Sequence, residues 1–149
     1  AGLTIKPENY EKLKNRFEEV VCATIENQHL TPEIKIDAVL PLEAITPKFY
    51  RILKQMAPYG PGNMRPVFMT EKVLDTGYGK CVGKTEDHLK IKVVKKQKDR
   101  NGIDAIGFNL GSKSELVKEG NPFDIAYTVN ENEWNGNVSL QLVLKDLKD

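Results

Sequence analysis

Apolar residues recur with a helical period near the start of the chain. Five of them fall along one side of a helix: Leu13, Phe17, Val20, Val21 and Ile25. Pro7 suits the first turn, because the N–H that proline lacks would have no partner at that position. The pattern predicts a helix from Pro7 to about Asn27.

The following apolar positions first alternate with polar ones and then return to a helical spacing. Residues 34–40 alternate as a half-buried strand does. Thr46 followed by Pro47 is typical of a helix start, with the threonine as N-cap. A helix, a strand and a helix bury too little surface to be stable alone. We therefore expect residues 1–57 to pack against something before or after them in the chain.

A segment rich in proline and glycine separates the two halves of the chain. Residues 57–66 contain three prolines and two glycines, and neither a helix nor a strand passes through such a segment. We therefore predict a first region at 1–57, a linker at 58–66 and a second domain at 67–149.

The second domain has the alternating pattern of β-strands. The predicted strands span residues 67–82 with a bend at 76–79, then 88–96, 103–108, 123–130 and 138–145. A helix is predicted at 112–118, with Ser112 and Glu115 as a capping box, and Asn135-Gly136 predicts a tight turn. The predicted fold class is α+β: an N-terminal helix–strand–helix segment followed by a five-stranded OB-fold β-barrel with a short helix between strands three and four.

Positive charge is concentrated in one stretch of the second domain. Between Lys80 and Arg100 there are eight basic and three acidic residues, a net charge of +5 in a chain whose total is +1. Such a local excess is typical of a surface that meets an anion. Cys22 and Cys81 form neither a disulfide framework nor a zinc motif, and no apolar run is long enough for a membrane span. We expect a cytoplasmic setting without membrane contact.

Several strings in the chain are similar to those of one known family. The first is Pro58-Tyr-Gly-Pro-Gly-Asn63 followed by Pro66-Val-Phe68, which resembles the signature P-F-G-x-G-N-P-x-P-x-F with departures at Tyr59 and Met64. Asp104-Ala-Ile-Gly-Phe108 and the stretch from Asp124 to Trp134 also fit in order and spacing. These strings resemble the RecJ family of single-stranded-DNA-specific exonucleases, in which the signature stands just before the OB domain.

The resemblance implies a 5′-to-3′ exonuclease that acts on single-stranded DNA in recombination and repair. In that family a separate DHH domain holds Mn²⁺ or Mg²⁺ through Asp and His ligands, and those ligands are not in this sequence, whose histidines are His29 and His88. We therefore expect a piece of the enzyme, the end of its DHHA1 domain plus its OB domain, with no cofactor and no catalytic residue. The implied partners are single-stranded DNA, the catalytic DHH/DHHA1 domains of the same protein and, as a further candidate, a single-stranded-DNA-binding protein.

OB folds bind oligonucleotides on their second and third strands and on the neighbouring loops. Five lysines fall in the first of those loops and in the second strand, where they would neutralise phosphates without reading sequence: Lys84, Lys90, Lys92, Lys95 and Lys96. The alternative is that these lysines only solvate an open face.

Other side chains have two interpretations. Trp134, in the last hairpin, either stacks on a base or closes the end of the barrel, and Arg65 contacts either DNA or an acidic neighbour. Tyr127 is predicted to lie in the core, with stacking on a base as the lesser alternative, and His88 is expected to form a hydrogen bond within the barrel. Two further functions stay open beside binding of single-stranded DNA. One is a protein-docking OB module with incidental nucleic-acid contact, and the other is an RNA-binding OB module.

Overall fold

The computed structural model describes residues 2–26, 32–96, 99, 101–118 and 120–149. Asn27, His29, Lys98 and Arg100, which figure in the predictions above, lie outside the described residues. The chain divides into two compact units, Ala1–Glu33 and Ile34–Asp149.

The first unit contains one helix, as the sequence predicts. A short 3₁₀ turn at Pro7–Asn9 leads into α1, Tyr10–Thr24. The structure describes every residue of α1, and none of them is buried. Phe17 on the apolar stripe is 65% exposed. Because none of its residues is buried, α1 gains little from packing within its own unit. A helix of this length without such packing is only marginally stable in water.

The second unit is built from seven strands and two helices within the described residues. The strands are β1 (Ala38–Val39), β2 (Phe68–Asp75), β3 (Lys80–Val82), β4 (His88–Val94), β5 (Ile103–Gly107), β6 (Phe123–Trp134) and β7 (Asn137–Lys148). The helices are α2 (Pro47–Gln55) and α3 (Ser114–Lys118). None of the helices in the described part of the chain has both the length and the apolar character needed to cross a membrane.

Five of these strands form a barrel-like ring. The sheet order is β1-β2-β6-β7-β5-β4-β3, and a further pairing of β2 with β4 closes the ring β2-β6-β7-β5-β4. The pairs are antiparallel except β5 with β7, which is parallel like the edge pair of β1 with β2. With β2 and β3 as the two halves of a bent first strand and α3 between the third and fourth strands, this is the predicted five-stranded OB order.

Asp75 fixes the bend between the halves of the first strand. Its Oδ2 atom accepts the backbone N–H groups of Gly77 at 2.7 Å and Gly79 at 2.8 Å. Its Oδ1 atom accepts the N–H of Lys92 at 3.0 Å, which attaches the bend to β4. The buried carboxylate therefore satisfies three backbone donors that the broken strand leaves without ladder partners.

The core fills the ring and contains one polar pair. Tyr127 is fully buried, which confirms its predicted core position, and its hydroxyl lies 2.8 Å from Thr70 Oγ1. Thr70 donates its own hydroxyl proton to the Leu40 carbonyl at 2.7 Å, so Tyr127 must be the donor to Thr70. Burial raises the pKa of Tyr127 above its usual value, because the apolar core disfavours the charged phenolate.

Residues 34–66 pack with the barrel rather than apart from it. Leu42, Ile45 and Leu53 belong to the same apolar core as Phe68, and the ring of Phe49 meets that of Phe68 edge-on at 5.5 Å. The second compact unit accordingly begins at Ile34, upstream of the predicted linker. That residues 1–57 come from the end of a DHHA1 domain stays a prediction.

The proline- and glycine-rich segment is folded against α2. The Tyr59 hydroxyl donates to the Leu53 carbonyl at 2.7 Å. The Asn63 side-chain amide donates to the carbonyls of Met56 at 2.8 Å and Pro58 at 2.9 Å. These bonds anchor both sides of the turn, so the segment holds α2 close to the start of β2.

Local sequence signals correctly predicted the start of α2 and the turn between β6 and β7. Thr46 is the N-cap of α2, and its side chain accepts the Phe49 N–H at 3.2 Å. Asn135 and Gly136 form the predicted turn with φ values of +50° and +77°, and this tight turn lets β6 and β7 pair four residues further than expected on the β6 side.

Two local predictions were wrong. The capping box does not form, because residues 111–113 make a 3₁₀ turn, α3 begins at Ser114, and the Glu115 carboxylate accepts a hydrogen bond from Lys118 instead. The strand predicted at 34–40 shrinks to Ala38–Val39, where β2 offers a free edge with which to pair.

Candidate nucleic-acid interface

From His88 to Val93, the two sides of β4 differ in character. Leu89, Ile91 and Val93 point into the barrel and are fully buried. The intervening residues His88, Lys90 and Lys92 are half-buried on the outer side. Because side chains alternate along a strand, all three outer side chains share one face of the sheet.

Neighbouring strands extend this outer side into a continuous surface, which we call the basic face. Its members are Lys80 and Val82 on β3, His88, Lys90 and Lys92 on β4, Asp104 and Ile106 on β5, and Phe108 just after β5. In the strand ladders, Lys80 lies directly opposite Lys90, Lys90 opposite Ile106, and Lys92 opposite Asp104. The fold therefore places three lysines side by side from two different strands.

Within the part of the chain that the structure describes, the lysines of the basic face form no ion pair. Among the described residues, no carboxylate oxygen lies within 4.0 Å of the ammonium groups of Lys80, Lys90 or Lys92. The Lys80 ammonium instead lies 5.1 Å from the centre of the Tyr78 ring. Like charges directly opposite one another destabilise a sheet, so this arrangement suits a surface that meets an anion.

The structure places the other predicted lysines apart from this row. Lys84 is exposed in the loop between β3 and β4, and Lys96 is exposed in the bend after β4. Lys95 is directed to the other side, where its ammonium donates to the Glu71 carbonyl of β2 at 3.1 Å. Of the five predicted lysines, Lys90 and Lys92 thus share the basic face, Lys84 and Lys96 lie in the loops that begin and end β4, and Lys95 turns away.

Trp134 does not close the barrel. It is the last residue of β6, lies opposite Asn137, and is 73% exposed. Counting back along the strand in steps of two, Asn132 and Asn130 share its side of the sheet, opposite Ser139 and Gln141. Gln141 in turn neighbours Asp104 of the basic face. The outer surface therefore continues from the basic face along the hairpin to Trp134.

Arg65 lies at the base of this hairpin. Its guanidinium group donates to the Asn130 side-chain oxygen and lies 5.2 Å from the centre of the Tyr59 ring. Nearby, Lys54 is paired with Glu131 at 2.8 Å, and this hydrogen bond, together with the charge of the carboxylate, raises the pKa of Lys54. Arg65 therefore contacts the amide of Asn130 and the ring of Tyr59. The carboxylate in this region, that of Glu131, pairs with Lys54.

Sequence analysis missed two members of the basic face, Lys80 and Phe108. Lys80 was counted in the charged stretch, but only the bend at Asp75 brings it opposite Lys90. Phe108 is 55% exposed, and its ring lies against that of His88 with a centre-to-centre distance of 5.2 Å. The alternation Asp104, Ile106, Phe108 along the third strand was the signal that could have identified it.

The described residues do not provide a metal site, since nowhere do three His, Cys, Asp or Glu side chains converge. His88 forms the expected hydrogen bond, with its Nδ1 atom accepting the N–H of Asn109 at 3.2 Å. His88 is therefore a hydrogen-bonded side chain of the basic face.

A closed ring of five strands with this order, and with an open polar face on its second and third strands, defines an OB-fold domain. Residues 36–146 match the RecJ OB domain family, and the chain belongs to that family.

Known proteins of this family resemble the whole chain. The single-stranded-DNA-specific exonuclease RecJ of Bacillus subtilis is 27% identical over 146 residues, which cover 98% of this chain and 18% of that protein. The crystal structure of Thermus thermophilus RecJ in complex with Mn²⁺ matches 99% of this chain with a TM-score of 0.70 at 21% identity. The structure of the same protein with Mg²⁺ gives a TM-score of 0.69 at 20% identity over 98% of this chain. The chain spans about a fifth of the length of these relatives.

Proposed function

We propose that this chain is the single-stranded-DNA-binding OB module of a RecJ-like 5′-to-3′ exonuclease that acts in DNA recombination and repair. The observation that carries the proposal is the row of unpaired lysines on the basic face, Lys80, Lys90 and Lys92, which have no carboxylate partner among the described residues. OB folds bind oligonucleotides on this face of the barrel. The names of the relatives, which are exonucleases specific for single-stranded DNA, support DNA as the ligand.

The lysines would act on the phosphates. Successive outward residues of a strand lie about 6.6–6.8 Å apart, so Lys90 and Lys92 can contact two phosphates of one extended strand. An ammonium group reads charge and not sequence, and each neutralised phosphate releases counterions. Binding is therefore expected to be independent of sequence and to weaken steeply as salt is added.

Catalysis would take place elsewhere in the protein. The Thermus relatives contain Mn²⁺ or Mg²⁺, and we propose that the DHH domain of the parent protein uses these ions. In this proposal the role of the chain is to hold the DNA strand for that centre. We also propose that the partners of this chain are the DHH/DHHA1 domains of the same protein and a single-stranded-DNA-binding protein. The proposed location is the cytoplasm.

Fluorescence anisotropy with a labelled single-stranded oligonucleotide at several salt concentrations tests DNA binding. The double variant Lys90→Glu, Lys92→Glu should bind far more weakly at low salt. Its slope of log K against log salt should fall by about 1.4, or about 0.7 for each phosphate that the variant no longer neutralises. The control Lys35→Glu, Lys48→Glu makes the same change in net charge at two exposed lysines off the basic face, and it should bind nearly as the parent chain does.

Other outcomes would select the competing functions. No binding of any oligonucleotide by the parent chain at low salt would refute the proposal and favour a protein-docking module. A clear preference for RNA over DNA of the same sequence would favour an RNA-binding module. Equal losses of affinity in the two double variants would show that net charge, and not the basic face, controls binding.

The assignment of catalysis to another domain has its own test. The purified chain, incubated with Mn²⁺ and labelled single-stranded DNA, should release no nucleotides over a period in which a full-length RecJ degrades the substrate. Nucleotide release that co-purifies with the chain would overturn the assignment.

A further inference from the structure

The basic face carries an exposed aromatic ring that the phosphate contacts do not use. Phe108 follows Gly107, the last residue of β5, which pairs with Leu89. Its ring therefore lies beside His88 at the end of the face nearest the loop between β3 and β4. A single exposed phenylalanine is common on protein surfaces, so its support and its neighbours decide whether it has a role.

His88 supports the ring from one side. The two ring planes meet at 74°, an edge-on contact that occupies at most one face of Phe108. The Asn109 N–H donates to His88 Nδ1, which fixes the orientation of the imidazole. Phe108 is thus held at one side and remains open to solvent over more than half of its surface.

Gly83 makes room for this arrangement. A Cβ atom at Gly83 would lie 3.3 Å from His88 Cδ2, closer than ordinary van der Waals contact, and the φ of Gly83 is +100°. Both the space and the backbone conformation therefore favour glycine at this position. The loop between β3 and β4 thus packs closely against His88, the residue on which the Phe108 ring rests.

The position of the ring relative to the lysines suits a nucleotide. His88 and Lys90 are successive outward residues of β4, about 6.6–6.8 Å apart along the strand. Lys90 also has Lys80 as its cross-strand neighbour. An aromatic surface thus lies one outward position from a pair of ammonium groups, so a strand of DNA that crosses the face would pass both.

We propose that Phe108 is a base-stacking platform of the basic face, on which one base packs while Lys90 and Lys80 hold an adjacent phosphate. This inference rests on the proposed binding of single-stranded DNA and adds a contact to the base. Every base has a π-face, so such stacking strengthens binding without selecting a sequence.

Equilibrium binding by Phe108 variants tests the inference. Phe108→Ala should weaken binding of an oligonucleotide by about 5-fold or more, with an unchanged salt slope, because the lysines still neutralise the same phosphates. Phe108→Leu, which keeps an apolar side chain, should remain weak, and Phe108→Tyr should restore binding. Ile52→Ala on α2, where Ile52 is 53% exposed, is the matched control and should leave affinity unchanged.

An oligonucleotide with abasic sites throughout separates stacking from every other role of the ring. The parent chain and Phe108→Ala should bind it with equal affinity, because the ring has no base to contact. If Phe108→Ala binds normal DNA as the parent does while Lys90→Glu, Lys92→Glu does not, the stacking inference is wrong and DNA binding stands. If neither the parent chain nor any variant binds normal single-stranded DNA, the proposed function itself is wrong.

Discussion

The inner and outer sides of β4 carry opposite kinds of residue within one strand. On the inner side, Leu89, Ile91 and Val93 are fully buried and contribute to the barrel core. On the outer side, Lys90 and Lys92 have no carboxylate partner among the described residues. The contrast teaches that this strand obtains its packing energy from its inner face, which leaves the outer face free for the proposed binding of DNA.

A core substitution should give the largest effect on stability. Ile91→Ala removes a fully buried side chain opposite Ala105 and should lower the free energy of unfolding by about 2–5 kcal/mol. Urea denaturation followed by far-UV circular dichroism measures this decrease. Ile106→Ala, on the outer side of β5, is the control and should lower the free energy of unfolding clearly less. Equal decreases at the two positions would erase the distinction between the faces.

The second-largest effect on the free energy of unfolding is expected at the bend that Asp75 fixes. Asp75→Asn replaces one carboxylate oxygen by an NH₂ group, which cannot accept the N–H donors of Gly77, Gly79 or Lys92. We expect a decrease of about 1–3 kcal/mol in the free energy of unfolding, measured by the same urea denaturation. Asp104→Asn, the same change on the basic face, should stay within about 0.5 kcal/mol of the parent. A decrease at Asp104 as large as that at Asp75 would contradict this explanation.

The buried hydroxyl of Tyr127 should give a smaller effect that depends on pH. Tyr127→Phe removes one donor to Thr70 and should cost about 0.5–1.5 kcal/mol at neutral pH. Because burial raises the pKa of Tyr127 above that of the unfolded chain, about 10, the stability linked to its proton is complete below pH about 10 and is lost as the pH rises further. The parent chain should therefore lose its advantage over Tyr127→Phe in alkaline solution. Urea midpoints across this range would show the two curves converging, and parallel curves would contradict the linkage.

The smallest expected change in stability has the opposite sign. Lys90→Gln removes a positive charge directly opposite Lys80, so the free energy of unfolding should rise by a few tenths of a kcal/mol. The same variant should weaken DNA binding, and denaturation and anisotropy on one preparation measure both effects. Lys48→Gln on α2 should change neither quantity. A Lys90→Gln chain that is clearly destabilised would show that the lysine has a structural role.

Much of the barrel could be predicted from local patterns. The alternation of Leu89, Ile91 and Val93 with Lys90 and Lys92 predicts both the strand and the two faces, because a strand has a period of two. The Asn135-Gly136 turn was also predictable, since both residues tolerate a positive φ. The lengths of β6 and β7 were not, because the exposed polar residues of the hairpin lack an alternating pattern and pair only as a result of that turn.

The sequence by itself determined the order of the strands, the buried side of each one and the presence of a lysine-rich second strand, since these depend on residue type and near neighbours. Only the tertiary structure decided which charges and rings meet. The carboxylate of Asp75 bends the first strand so that Lys80 comes opposite Lys90, and the pairing of β4 with β5 sets Phe108 against His88. These contacts join residues far apart in sequence, and a local pattern cannot specify them because their geometry depends on closure of the barrel.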